Sequence, residues 1–349
     1  MSNNPKSLCI VRLSALGDVT HMLPIIHTLQ QHWPSTTITW VIGKVEYKLL
    51  GHLPGVEFIV FDKGNGWREY LNLKHTFRDR VFDVLLLMQV SLRANFLSAM
   101  INAKRKIGYD KIRAKDFHSL FVNESIPEQP GEHVVDSFFN FLKKVGLREM
   151  ERNWDLPSPA GAERLAREVI DKDRPTMIIS PCSSHILRNW NVEAYASIAD
   201  YAAETYNMQV LICGGNSALE HQMSADISAL CRSTPANLVG KDTFAQFLEL
   251  LRSAQVLLSP DSGPAHMAAI TQTPVIGLYA ASNSRRSGPY NSLQWCVDAY
   301  DQASHLTFGV PASQLKWGKK IERPGVMDLI TVTQVTDKLD QLMLEIQEK

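Results

Sequence analysis

The chain of 349 residues predicts an α/β fold made of two open, doubly wound parallel sheets. Three observations lead there. Short apolar runs of strand length alternate with helix-length segments, the pattern of parallel strands joined by crossover helices. The alternation breaks over 157–175, where Pro157, Pro159, Gly161 and Arg174-Pro175 cluster, and then restarts. The length suits two domains, each large enough for its own core. We set the domains at 1–165 and 166–330, with a closing helix over 331–349.

In the first half, Ser7–Leu13 (SLCIVRL) reads as a strand buried on both faces. The polar loop Ser14–Asp18 follows, then a helix whose apolar residues Leu23, Ile26 and Leu29 recur at helical spacing. Thr37–Ile42, Phe58–Phe61 and Val84–Met88 are further strands, with Pro54-Gly55 as a turn signal before the second of them. A helix starts after Gly131-Glu132-His133 and ends at Gly146. In the second half, strands are expected at Thr176–Ile179, Met208–Cys213, Asn237–Val239, Ala254–Leu258 and Pro274–Tyr279. Helices are expected at Val192–Thr205, Leu219–Leu230 and Thr243–Ser253. Residues 280–320, rich in Ser, Asn, Gly and Pro, read as irregular, and Val332–Ile346 as an amphipathic helix.

Composition excludes several classes. Lys and Arg balance Asp and Glu at 36 each, which argues against a dedicated nucleic-acid binder. The five cysteines are odd in number and lack C-x-x-C spacing, so neither a disulfide framework nor a zinc site is indicated. The N-terminus runs from Met1 straight into a strand without the pattern of a signal peptide. No apolar run approaches the ~20 residues that span a bilayer. A cytoplasmic location is therefore expected.

The stretch Ser259-Pro260-Asp261-Ser262-Gly263-Pro264-Ala265-His266 reads as strand end, tight loop and helix start. Pro264 suits a first helical turn, and Gly263 lets backbone approach a ligand. Free N–H groups at the positive end of the helix dipole make an anion seat. The same residues would serve an ordinary strand-to-helix turn, and spacing alone leaves both open. A second unusual stretch, Arg93–Lys115, carries seven cations with only Asp110 opposing them. It is either a solvated surface or a receiver for an anionic substrate at a membrane.

Taken jointly, the polar loops resemble glycosyltransferase family 9, the ADP-heptose:lipopolysaccharide heptosyltransferases. The matching residues are Arg12-Leu13-Ser14-Ala15-Leu16-Gly17-Asp18-Val19, Glu132-His133-Val134-Val135-Asp136, Ser183-Ser184 through Arg188-Asn189-Trp190, Gly214-Gly215 through Glu220, and Asp261 through His266. They stand in the family's order and cover nearly the whole chain. The first half and the tail, including Lys316-Trp317-Gly318 and Pro324–Asp328, look most like the heptosyltransferase I branch. The resemblance implies a GT-B fold, with two Rossmann-like domains facing across a cleft and a C-terminal helix able to cross back to the first domain. It further implies transfer with inversion, an ADP-heptose donor, a Kdo-lipid A type acceptor, and no metal or other cofactor. The expected protein is a monomer in peripheral contact with the cytoplasmic face of the inner membrane.

The resemblance places the general base on Asp18, where a carboxylate can take the proton of the attacking hydroxyl; from spacing alone Asp18 could equally cap a helix. Arg188 would stabilise the departing diphosphate. Relatives with Lys there make Arg a departure, since its fork binds oxygens bidentately, and packing on Trp190 is the alternative for it. Ser183, Ser184, Ser262, Gly263, Ala265 and His266 would contact the phosphates, and Asp261 the heptose. Glu220 would hold a ribose or sugar hydroxyl, with Lys241 and Thr243 beside the adenine. Arg93, Lys104, Arg105, Lys111 and Arg113 would bind the acceptor. Asp171-Lys172-Asp173 spells the D-x-D string of metal-dependent transferases but follows a helix rather than a buried strand, and reads as a solvated turn. A heptosyltransferase II or III type acting on a later core sugar and a sugar-nucleotide 2-epimerase are the competing enzymes. A nicotinamide oxidoreductase fails for want of G-x-G-x-x-G after the first strand. A non-catalytic binding protein would tolerate loss of Asp18.

Overall fold

A computed structural model describes residues 4–348; Met1–Asn3, where the N-terminal expectation begins, lie outside the described residues. The chain forms two compact units, 1–157 and 158–349. Among the described residues the first holds six strands: β1 (Ser7–Val11), β2 (Thr37–Gly43), β3 (Val56–Phe61), β4 (Val81–Leu87), β5 (Asn102–Gly108) and β6 (Glu124–Ser125). The second holds β7 (Thr176–Ile179), β8 (Gln209–Ile212), β9 (Ala236–Asn237), β10 (Val256–Pro260), β11 (Val275–Tyr279) and β12 (Val297–Asp298). The α/β class and the two doubly wound sheets expected of a GT-B chain are present.

Every strand pairing is parallel. The order is β3-β2-β1-β4-β5-β6 in one sheet and β9-β8-β7-β10-β11-β12 in the other, so the second repeats the first. In both, the chain reverses its direction of growth between the first and fourth strands of the sheet. Ligands of such sheets bind outside the carboxyl ends of the strands at that switch point. Central strands are buried on both faces, which is why they read as continuous apolar runs: Leu8, Cys9, Ile10 and Val11 of β1 and Met177, Ile178 and Ile179 of β7 are fully buried.

Two segments differ from expectation. The basic run contains β5, whose lysines and arginine alternate faces because strand side chains do so; charge had hidden the strand. The span 280–320 is less irregular than its composition implies, holding β12 and the helix Tyr300–Phe308. The last helix, Val332–Gln347, packs within the second unit. Its apolar stripe, Val335, Leu339, Leu342 and Met343, enters the core that contains β7, β8, β10 and β11 side chains, and Asp340 accepts from Tyr201 Oη (2.9 Å) and Tyr206 Oη (2.7 Å). No described helix is long and apolar enough to cross a membrane.

Candidate active site

At the first unit's switch point, the loop after β1 is tied to the loop after β4. Gln89 Oε1 accepts from the backbone N of Leu13 (2.7 Å) and Ser14 (3.2 Å). Buried Arg12 donates from Nη1 to Met88 O at 2.5 Å, and its guanidinium sits 5.2 Å from the centroid of the Phe138 ring. Its Nη2 forms an ion pair with Asp18 Oδ2. The N-cap of the short helix Leu16–Thr20 is Ala15, not Asp18. Asp18 sits one turn in and accepts from Ala15 N at 3.4 Å, again through Oδ2. Oδ1 thus accepts nothing among the described residues, and the side chain is 34% exposed. A partly exposed carboxylate with one oxygen anchored and the other uncommitted suits a proton acceptor. Arg12 stood inside the quoted motif without a role; the fold supplies one, since β1 and the first helical turn bring it back onto Asp18.

The second unit's switch point is built from the loops after β7 and β10. Ser259 Oγ donates to Ser180 O (3.0 Å) and pairs with Ser262 Oγ (2.8 Å), joining the two loops. The helix Gly263–Thr271 starts here with Pro264 in its first turn, leaving the first-turn N–H groups of Gly263 and Ala265 without intrahelical acceptors. Asp261 is 10% exposed. Lys320 Nζ donates to its Oδ2 at 2.6 Å, and His266 Nε2 lies 3.8 Å from its Oδ1. Burial pushes the Asp261 carboxyl up, but the neighbouring His266 ring and the Lys320 ammonium outweigh it and hold it well below the usual range.

Beside it, Ser183 N donates to Asn189 Oδ1 (2.7 Å), while Ser184 is exposed. Arg188 does not pack on Trp190. Trp190 is buried, donates to Ile330 O (3.0 Å) and meets Tyr195 edge-on. Arg188 turns instead to Glu322, whose Oε1 accepts from Nε (2.7 Å) and Nη2 (2.5 Å). Nη1 keeps both of its donors uncommitted among the described residues. Burial raises the Glu322 carboxyl and the Arg188 bonds and charge lower it, for a net depression. Lys320 and Glu322 escaped sequence reasoning: Lys320 ends the segment read as irregular, Glu322 lies just past it, and only tertiary folding brings them to loops far away in sequence.

Glu220 is held by its own loop, accepting from Gly215 N (2.7 Å) and Ser217 Oγ (2.5 Å). Thr243 caps the helix Phe244–Ser253, and Lys241 Nζ donates to Asn237 O (2.7 Å). Between them, half-buried Asp242 has its carboxyl pushed up to about 7, first by burial, with the Glu220 charge adding to it against the lowering effect of a backbone hydrogen bond. Asp171 accepts from Asp173 N (3.0 Å), so the D-x-D string is a self-capped turn. Among the described residues no group of three or more His, Cys, Asp or Glu could hold a metal ion.

The five expected acceptor cations are not brought together. Lys104 pairs with Asp83 (2.6 Å), and Asp83 also accepts from Lys6 N (2.7 Å), which puts the pair at the amino end of β1. Arg105 is clamped by Glu124 (2.6 Å) and the Lys144 carbonyl (3.3 Å). Arg113 is bound by Asp110 and Glu132. Arg93 opens the helix after β4, and Lys111 and Arg113 follow β5, so these three lie beyond carboxyl strand ends. Asp110 is thus not the only opposing charge; acids distant in sequence neutralise much of the run.

The family model described as glycosyltransferase family 9 (heptosyltransferase) matches residues 70–317. The chain is 39% identical over 340 residues to the lipopolysaccharide core heptosyltransferase OpsX of Haemophilus influenzae, covering 97% of this chain and 98% of that protein. Its fold is similar to a glycosyltransferase family 9 structure from Veillonella parvula, with a TM-score of 0.80 at 20% identity, covering 99% of both chains. It is also similar to the Escherichia coli ADP-heptose lps heptosyltransferase II, with a TM-score of 0.73 at 18% identity, over 98% of this chain and 99% of that one. The chain belongs to glycosyltransferase family 9, the heptosyltransferases.

Proposed function

We propose that this enzyme transfers a heptose from ADP-heptose to the Kdo of the lipopolysaccharide inner core, with inversion and without a metal. The observation that carries the reading is the 39% identity, over nearly the full length of both chains, to a lipopolysaccharide core heptosyltransferase. The site geometry supports it. Domain 1–165 takes the acceptor and domain 166–330 the nucleotide sugar. The acceptor hydroxyl oxygen attacks the anomeric carbon as the bond to ADP breaks, and its proton passes to Asp18 Oδ1, the oxygen that Arg12 and Ala15 leave uncommitted. ADP leaves with its diphosphate held by Ser183, Ser184, the outer edge of Arg188, and the first helical turn with Gly263, Ala265 and His266. Asp261 holds the heptose, Ser262 the diphosphate, Glu220 the ribose, and Lys241 and Thr243 border the adenine. Arg93, Lys111 and Arg113 meet the anionic acceptor; Lys104 and Arg105, committed to ion pairs elsewhere, are given no part. The enzyme works as a monomer against the cytoplasmic face of the inner membrane, where the acceptor is embedded.

The test is direct. Purified protein, ADP-heptose and a Kdo-bearing lipid A acceptor should yield a product heavier by one heptose with the anomeric configuration inverted, and a chelator should leave the rate unchanged. A chain that ignores this acceptor and uses one already carrying heptose would move the assignment to a later core sugar. A strict divalent-metal requirement would contradict the proposed charge stabilisation.

A further inference from the structure

We propose that the helix Leu92–Ala99 and the loop 109–121 folded over it form a surface that inserts into the headgroup layer of an anionic bilayer. The inference rests on the membrane contact of the proposed function and says which side chains make it. Leu120 is 80% exposed and Phe117 74%, and Ile112, Phe96 and Leu92 are exposed as well. Large apolar side chains grouped within one surface mark an interaction site, whereas scattered ones do not. Leu92 and Phe96 stand one turn apart on the same helix face. The loop is fixed to that helix: Asn95 Nδ2 donates to Asp116 O (2.8 Å), Asn95 Oδ1 meets His118 Nδ1 (2.9 Å), and the Phe96 and Phe121 rings lie 5.8 Å apart.

Backbone conformation adds a second observation. Asp116 and Phe117 are consecutive non-glycine residues in the left-handed region, at φ 56° and 60°. A bulky residue held there is strained, and such strain collects at functional sites. Here it holds an aromatic ring out in solvent instead of burying it. The same helix and loop carry exposed Arg93, Lys111 and Lys115 against one exposed carboxylate, that of Asp116. Exposed aromatic and aliphatic side chains on segments that also carry exposed cations suit the boundary between acyl chains and anionic headgroups. The loop is rooted at the candidate site, because Tyr109 Oη and Arg12 Nη1 both donate to Met88 O (3.4 and 2.5 Å). Docking by this surface sets the carboxyl edge of the sheet, with Asp18, beside sugars that project from the membrane.

Flotation of the full chain with vesicles of phosphatidylethanolamine and phosphatidylglycerol tests this. The unsubstituted chain should float with these vesicles and much less with phosphatidylcholine alone. High salt should weaken binding without abolishing it, since the apolar contribution is not screened. The F117E/L120E variant should bind on the order of a hundredfold more weakly, and F117S/L120S should show the same direction. Both replace exposed side chains and should transfer heptose to a deacylated, water-soluble acceptor at the unsubstituted rate while losing transfer to the acylated acceptor in vesicles. Equal flotation of the unsubstituted chain and both variants would overturn the proposal. So would a chain that ignores the vesicles and instead dimerises, or binds another protein, through Phe117 and Leu120. Failure of the unsubstituted chain to use either acceptor while it still binds vesicles would count against heptosyl transfer and leave the docking surface supported.

Discussion

The two units share one strand order yet finish their switch points differently. In the first, Asp18 is a third exposed and is paired by Arg12, a cation from the strand end that leads into its own loop. In the second, Asp261 is nearly buried and is paired by Lys320, which arrives from 59 residues further along the chain. One carboxylate keeps an oxygen uncommitted among the described residues. The other has one oxygen paired by the Lys320 ammonium and the second faced by the His266 imidazole, and its carboxyl is held well below the usual range. The same fold thus presents a carboxylate with an uncommitted oxygen at one edge, the proton acceptor we propose, and an ion-paired carboxylate at the other, and the difference lies in which segment supplies the partner.

That contrast can be broken at several points. The largest effect is expected from Asp18→Asn, which removes the proton acceptor while keeping shape. Its kcat should fall by about a thousandfold, with donor affinity retained in a binding titration. Arg188→Ala should lower kcat/KM by roughly a hundredfold, as loss of one preorganised donor to a developing charge does. Glu322→Gln should cost less, about tenfold, through KM for the donor, because it frees a guanidinium that remains present. Arg12→Met should reduce kcat by about tenfold to a hundredfold with donor KM unchanged, as a misdirected base does.

Lys320→Met should act on stability. Removing one partner of a largely buried pair costs about 1–3 kcal/mol at neutral pH, below the fully buried case because Lys320 is partly exposed. The Asp261 carboxyl is depressed in the folded state, so its contribution is present above the ordinary carboxylate value near ~4 and is lost as pH falls toward the folded value. The unsubstituted and variant denaturation midpoints should therefore converge in acid. A pH-dependent effect is expected at Asp242, whose carboxyl burial pushes up to about 7. A raised carboxyl stabilises the fold fully below its unfolded value, near ~4, and that contribution is lost as pH rises through 7. Asp242→Asn should flatten the decline in melting temperature between those limits.

Sequence and structure agree where neighbours in the chain are neighbours in space. The central strands were visible as unbroken apolar runs, and the loops of Asp18 and Asp261 as local strings of polar residues before a helix. Arg12 was visible but mute, because its bond to Asp18 depends on a reversal of the backbone between them. Lys320 and Glu322 carried no signal at all. They belong to an extended stretch whose composition resembles any surface loop, and Glu322 reaches Arg188 across 134 residues. Strand β5 was misjudged for a related reason. Its cations look like open surface until Asp83 and Glu124 are folded against them.

The most direct test is a side-by-side measurement of single-turnover heptose transfer and ADP-heptose affinity in Asp18→Asn and Asp261→Asn. The account predicts a crossed outcome: transfer within the bound complex collapses in the first with donor affinity within about twofold of normal, whereas donor affinity falls at least tenfold in the second. Unimpaired transfer by Asp18→Asn, or loss of donor affinity in that variant with none in Asp261→Asn, would contradict it.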